Sequence, residues 1–114
     1  MLPDQNVPLT VDKADICDKL RIPQEIFERI VRNAFVPTDK DISDLLKAVD
    51  SDDFDTIHKI AHRLKGTYSN LRIPQLAQIA HQINDLSLQR KDKASIIQLL
   101  GQFKFYYEQL KKFF

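Results

Sequence analysis

The middle of the 114-residue chain carries the stretch FDTIHKIAHRLKGTYSNL, residues 54–71. Its apolar residues recur at spacings of three and four, the pattern of a helix with one buried face. These residues are Phe54, Ile57, Ala61, Leu64, Tyr68 and Leu71. At about 100° per residue, His62 falls roughly 130° from the centre of this face. We therefore expect its imidazole to face water.

Two companions of His62 distinguish this helix from an ordinary amphipathic one. Lys65 and Gly66 follow it at i+3 and i+4, one turn away on the same surface, with Ser69 and His58 beside them. A glycine inside a helix costs about 1 kcal/mol relative to alanine, and no turn signal surrounds Gly66. We infer that the missing side chain lets a bulky group approach the ring.

Apolar periodicity and capping residues predict five further helices along the chain. Their approximate ranges are 10–22, 23–35, 38–49, 74–88 and 93–114. We expect Thr10 to cap the first of them. Pro37 is expected to separate the second from the third, and Thr38 with Asp41 resembles a capping box at the start of the third.

The predicted fold is all-α. Short connections between long amphipathic helices imply antiparallel neighbours, so we expect an up-down-up-down four-helix bundle with one or two additional short N-terminal helices. Residues 1–9 contain two prolines and no apolar periodicity, and are expected to form a flexible arm. Residues 10–114 would then form the bundle domain.

Bulk composition excludes several classes of protein. The chain has 17 Lys and Arg residues against 16 Asp and Glu, interspersed, so no basic block indicates nucleic acid or an anionic membrane. No apolar run approaches the length of a membrane span, and the start lacks the features of a signal peptide. The single cysteine, Cys17, suits a reducing compartment and is expected to be a buried small residue. We expect a cytoplasmic protein.

The stretch Ala61-His62-Arg63-Leu64-Lys65-Gly66 resembles the A-H-x-L-K-G signature of histidine-containing phosphotransfer (HPt) domains. The flanking pattern is also similar, with Ala48-Val49-Asp50 ending the preceding helix and Leu71 and Leu76-Ala77 following the motif. The resemblance covers about residues 23–112, nearly the whole chain.

This resemblance implies that His62 accepts a phosphoryl group from the phospho-aspartate of a receiver domain and passes it on within a two-component phosphorelay. Lys65 would pair with phosphoryl oxygens, and Gly66 would leave room for the incoming receiver. The implied partners are response-regulator receivers, hybrid sensor kinases or both. The sequence contains no nucleotide-binding motif, so we expect a phosphoryl carrier that has no ATP site of its own, needs no cofactor and acts as a monomer.

Two positions extend or depart from the family pattern. Family members often place an amide side chain on the helix after the histidine, and an alignment without gaps puts Asn84 at that position. The alternative is that Asn84 is a structural cap or an exposed polar residue. Arg72 stands where the family commonly has a glycine, so we expect the turn after the histidine helix to be built differently.

Other interpretations remain open at this level. His58 and His62, spaced i, i+4, would suit a metal pair, but a third ligand would have to come from His81, Asp55 or Cys17, and we expect no metal site. The chain would also suit an interaction module that docks a receiver or kinase without taking phosphate. Ile16, Leu20 and Phe27 are candidates for the docking surface near His62, although apolar residues of this kind more often belong to the core.

Overall fold

The computed structural model describes residues 8–114 and contains five helices in that range. They are α1 (Lys13–Leu20), α2 (Gln24–Asp50), α3 (Phe54–Asn70), α4 (Pro74–Leu88) and α5 (Lys93–Phe113). No strand occurs between residues 8 and 114. The predicted all-α class is confirmed.

Helices α2 to α5 form the bundle. They are joined by the short connections 51–53, 71–73 and 89–92, so consecutive helices run antiparallel. α3 packs most extensively on α4, α4 packs on α5, and α5 closes onto α2. The short helix α1 packs on α2 outside this group, as the single additional N-terminal helix. Between residues 8 and 114, no helix combines the length and the apolar composition that a bilayer crossing requires.

Buried aromatic and aliphatic side chains from all four bundle helices meet in one core. From α3, the predicted face is buried at Ile57, Ala61, Leu64 and Tyr68. The Tyr68 ring meets Phe103 of α5 edge-on, with 5.9 Å between the ring centroids, a separation at which aromatic pairs attract each other. Because this face is packed, the opposite face of α3 lies in solvent.

The predicted helix break at Pro37 is wrong. α2 runs without interruption from Gln24 to Asp50, with Pro37 inside it. Proline removes one backbone N–H from the helix and crowds the carbonyl four residues earlier, which costs about 3 kcal/mol in an isolated helix. Contacts from the bundle stabilise this segment, since the Tyr107 hydroxyl of α5 lies 2.9 Å from the Phe35 carbonyl oxygen and 2.7 Å from an Asp39 carboxylate oxygen.

Thr38 and Asp41 do not form the predicted capping box, because both lie inside α2. The Thr38 hydroxyl instead makes a buried hydrogen bond of 2.7 Å with the Tyr68 hydroxyl of α3. Asp41 is buried and pairs with Arg63 of α3. Both residues therefore tie α2 to the helix that carries His62.

The N-terminal region differs from the prediction in two details. Asp12, rather than Thr10, caps α1 and accepts a hydrogen bond of 3.0 Å from the Asp15 N–H. Most of the predicted flexible arm, residues 1–7, lies outside the described residues. Leu9, at its end, is buried, and its N–H donates to the Gln109 side chain at 2.9 Å. Packed structure thus begins by Leu9.

The turn after α3 is also not built in the unusual way that we expected from Arg72. The Ile73 N–H donates to the Tyr68 carbonyl at 2.9 Å and the Arg72 N–H to the Ser69 carbonyl at 3.1 Å. This pair of bonds is the Schellman motif that usually ends in glycine. Arg72 adopts the left-handed conformation itself, with φ of 61°. Pro74 then occupies the first position of α4, where its missing N–H costs nothing.

The Arg72→Gly variant should be more stable than the wild type by up to about 1 kcal/mol, because an L-residue is strained in the left-handed region and glycine is not. Urea unfolding followed by circular dichroism measures this. As a control, Arg32→Gly at an exposed interior position of α2 should lower stability by about 1 kcal/mol. Equal losses in both variants would show that the turn at Arg72 is unstrained.

Tyr68 should make stability depend on alkaline pH. Burial raises the pKa of its hydroxyl to about 12, whereas the unfolded chain has a tyrosine pKa of about 10. Below pH 10 both states keep the proton and the contribution to stability is complete. As pH rises from 10 to 12 only the unfolded chain releases it, which lowers stability by about 1.4 kcal/mol per pH unit. The Tyr68→Phe variant should lose stability less steeply over this interval, and identical slopes would contradict the assignment.

Candidate functional site

His62 lies on the solvent-exposed side of α3, near its middle. Asp53 caps the start of α3, and its carboxylate accepts a 3.2 Å hydrogen bond from the Thr56 N–H and one of 2.6 Å from the Thr56 hydroxyl. These hydrogen bonds lower the pKa of Asp53 and fix the start of the helix. Since Ala61 and Leu64 on either side of His62 are buried, the register of the helix holds the imidazole outward.

Lys65 and Gly66 stand one turn beyond His62 on a helix that continues to Asn70. The Lys65 ammonium has no ion pair or hydrogen bond with the described residues, so it is available to an anion beside the imidazole. Gly66 is exposed, and a methyl group placed on it would meet no atom of residues 8–114 within 4 Å beyond its own turn. Packing inside the domain therefore does not require a glycine there.

His58 and Ser69 lie on the same face of α3, before and after His62. The rings of His58 and His62 are 6.1 Å apart between centroids, with 33° between their planes. Ser69 is exposed, and His58 is half-buried. The four predicted companions thus surround His62 along about three turns of one helix.

Asn84 is neither the cap nor the exposed residue of the alternative interpretation. It lies inside α4 and is buried, with 7% of its surface exposed. Its side-chain Oδ1 is fully enclosed and has no hydrogen-bond partner in residues 8–114. A buried amide with an unsatisfied oxygen is uncommon in folded proteins.

Sequence reasoning missed a contact next to His62. The Arg63 guanidinium donates to both carboxylate oxygens of Asp41, from Nε at 3.2 Å and from Nη2 at 2.5 Å. This contact raises the pKa of Arg63. The guanidinium is thereby turned toward α2 and away from the imidazole, so the cation beside His62 is Lys65 and not Arg63. The only sequence feature that could have indicated this contact is that Arg63 occupies the variable position of the A-H-x-L-K-G motif.

An open groove of about 540 Å³ lies at the C-terminal end of α3, on the side of Ser69. Its walls come from α1, from the end of α3 and from the start of α4. The lining residues include Asp15, Ile16, Lys19, Tyr68, Ser69, Arg72, Pro74 and Ala77. Ser69 is seven residues from His62, which corresponds to about 10 Å along the helix axis. The groove therefore continues the surface that carries the imidazole.

Ile16, Leu20 and Phe27, the residues considered for a docking surface, do not lie together on one surface. Phe27 is fully buried and meets the Phe114 ring edge-on at 5.7 Å, so it belongs to the core. Ile16 is buried but contributes to the groove, and Leu20 is half-buried. Cys17 is buried and free, as expected for a small core residue.

In the described part of the chain, no group of three His, Cys, Asp or Glu side chains is placed to hold a metal ion. His58 and His62 therefore have no third ligand within residues 8–114. Of the candidates considered, Asp55 is engaged with the Arg90 guanidinium and Cys17 is buried.

Comparison with models of protein families matched residues 29–113, well over half of the chain, to the Hpt domain. Comparison with curated proteins and with solved structures gave no match. Hpt domains are helical bundles that carry phosphoryl groups on histidine in phosphorelays, and they interact with receiver domains or kinases of two-component systems. The matched range contains the whole of α3 to α5, including the exposed His62 with Lys65 and Gly66. The chain belongs to the Hpt domain family.

Proposed function

We propose that this domain is a phosphorelay carrier in which His62 accepts a phosphoryl group from the phospho-aspartate of a receiver domain and returns it to a receiver. The observation that carries the proposal is the exposure of His62 on a packed helix, beside a lysine that has no ion pair within residues 8–114 and a glycine that packing among those residues does not require. Neither of the other two histidines, His58 and His81, is followed by a lysine at i+3 and a glycine at i+4.

The chemical step needs little from the domain itself. The lone pair of one neutral imidazole nitrogen of His62 forms the new N–P bond, while the O–P bond to the aspartate breaks and its carboxylate leaves with the electron pair. Catalysis of phosphoryl transfer consists mainly of positioning and charge stabilisation. Lys65 supplies one positive charge to the equatorial oxygens, and the receiver is expected to supply the remainder.

Asn84 is assigned a supporting role at this site. It lies on α4, the helix that packs most extensively on α3. Its amide is held in place by burial, while its oxygen lacks a partner within the described residues. A fixed amide of this kind is suited to orienting a neighbouring polar group.

The receiver is proposed to dock across the exposed face of α3 and the adjoining groove. Acidic and basic side chains of α1 and Arg72 rim this groove, and Ile16 and Ala77 supply apolar surface within it. Because the four bundle helices bury their apolar faces within one chain, we expect the carrier to act as a monomer.

Incubation with a receiver labelled on its aspartate should transfer the label to the wild-type protein and not to His62→Gln. The label should be lost in acid and survive base, as expected for a phosphohistidine. His81→Gln, at an exposed position of α4, serves as the matched control and should still be labelled. Labelling that persists in His62→Gln would reject the assignment. Binding of the receiver without any transfer would instead favour a docking module.

The two glycines provide a test of the open approach to His62. Gly66 and Gly101 both lie exposed inside helices, and a methyl group added at either position would meet no other part of residues 8–114 within 4 Å. Alanine should therefore stabilise the domain by about 1 kcal/mol at each site, measured by urea unfolding. Only Gly66→Ala should also slow transfer from the receiver, by about tenfold or more, corresponding to about 1.4 kcal/mol in the barrier.

Gly101→Ala provides the reference for that comparison, since it makes the same backbone change on another helix. Equal transfer rates for Gly66→Ala, Gly101→Ala and the wild type would show that the receiver does not approach over Gly66.

A further inference from the structure

The imidazole of His58 lies beside the proposed phosphoryl acceptor, and neither of its nitrogens forms a hydrogen bond within residues 8–114. It lies one helical turn before His62, with 6.1 Å between the ring centroids. This separation is too long for a direct hydrogen bond between the rings and leaves space for a group attached to one of them. Because the two residues are four positions apart on one helix, both rings stand on the same side of α3, with 33° between their planes.

The surroundings of His58 fix which of its nitrogens is available. Nδ1 is enclosed and has no hydrogen-bond partner within residues 8–114. A neutral imidazole carries its proton on one nitrogen and a lone pair on the other. An enclosed N–H without an acceptor is less favourable than an enclosed lone pair, because acceptors tolerate the loss of a partner better than donors do. The neutral ring therefore places its proton on Nε2, which is not enclosed.

Among the described residues, no neighbouring charged group accepts a hydrogen bond from the Nε2–H of His58. Asp55, three residues earlier on α3, is engaged with the Arg90 guanidinium from the connection between α4 and α5. Lys59 and Lys65 are cations and cannot accept a hydrogen bond. Among the described residues, the Nε2–H of His58 thus has no protein acceptor. It nevertheless stands beside His62, whose imidazole is expected to carry the anionic phosphoryl group.

We propose that His58 is a phosphoryl-binding residue whose Nε2–H donates a hydrogen bond to an oxygen of the group carried by His62. This inference rests on the proposed function and adds a contact to it. The covalent step is unchanged, since the N–P bond forms on His62 and His58 keeps its proton throughout. A hydrogen bond to a charged phosphoryl oxygen is stronger than one to a neutral acceptor. His58 therefore favours the phosphorylated form of His62 over the phosphorylated receiver.

The test measures how the phosphoryl group partitions between the receiver and the domain at equilibrium. His58→Phe keeps a ring of similar size in the half-buried position and removes the donor. It should shift the partition toward the receiver by roughly ten- to a hundredfold, the effect of one hydrogen bond to a charged group. His58→Gln restores an N–H donor and should recover much of the wild-type partition.

His81→Phe is the matched control, because the Nε2 of His81 already lies 3.3 Å from the Asp85 carboxylate. It should leave the partition unchanged. An equal shift in His58→Phe and His81→Phe, or a wild-type partition in His58→Phe, would overturn the proposal.

Nitrogen NMR of the ¹⁵N-labelled imidazoles supplies a readout that a purely structural role would not change. The unphosphorylated protein should show His58 with its proton on Nε2, and that resonance should move when His62 is phosphorylated. A proton on Nδ1, or an unmoved resonance in a protein labelled on His62, would overturn the role of His58 alone. Failure of the wild type to accept label on His62 would overturn the proposed function and this contact together.

Discussion

The packing of one face of α3 against its neighbours determines how the rest of the molecule is arranged. Ile57, Ala61, Leu64 and Tyr68 are almost fully buried, and together they fix the rotation of the helix about its axis. Once that rotation is fixed, the backbone geometry places His62, Gly66 and Ser69 in solvent. The site therefore needs no loop or flexible segment to present the imidazole. A carrier that must meet partners repeatedly gains from such a rigid presentation, since no ordering cost recurs at each encounter.

Polar contacts inside the bundle complement this packing and hold α3 in register with α2. The buried Thr38–Tyr68 hydrogen bond and the Asp41–Arg63 pair both connect these two helices. On α2, both contacts come from residues that follow Pro37 closely, where the helix lacks one backbone hydrogen bond. The same contacts that stabilise the proline-containing helix therefore also anchor the helix that carries the imidazole.

The distribution of glycine separates structural needs from functional ones. Left-handed backbone conformations end or follow four helices at Arg21, Asp52, Arg72 and Arg90, with φ between 53° and 61°, and each is occupied by a residue with a side chain. The two glycines of the chain lie instead inside α3 and α5, where the helix would be more stable with alanine. Gly66, which lowers the stability of α3 relative to alanine, is also the residue over which a partner is proposed to approach His62. Within residues 8–114, three enclosed side-chain atoms lack a hydrogen-bond partner, which are Nδ1 of His58, Oδ1 of Asn84 and Oε1 of Gln102.

The sequence by itself determined the helical class, the buried face of α3, and the exposure of His62 with Lys65 and Gly66 one turn away. These features depend on spacing along a single helix, which a period of 3.6 residues fixes without reference to the rest of the chain. Only the tertiary structure decided whether α2 continues through Pro37, because the stabilising contacts come from Tyr107 and Tyr68, distant in sequence. It also decided that Thr38 and Asp41 contact α3, that Asn84 is buried, and which nitrogen of His58 is enclosed. Those outcomes depend on which helices meet and at what rotation, and local propensity carries no information about that.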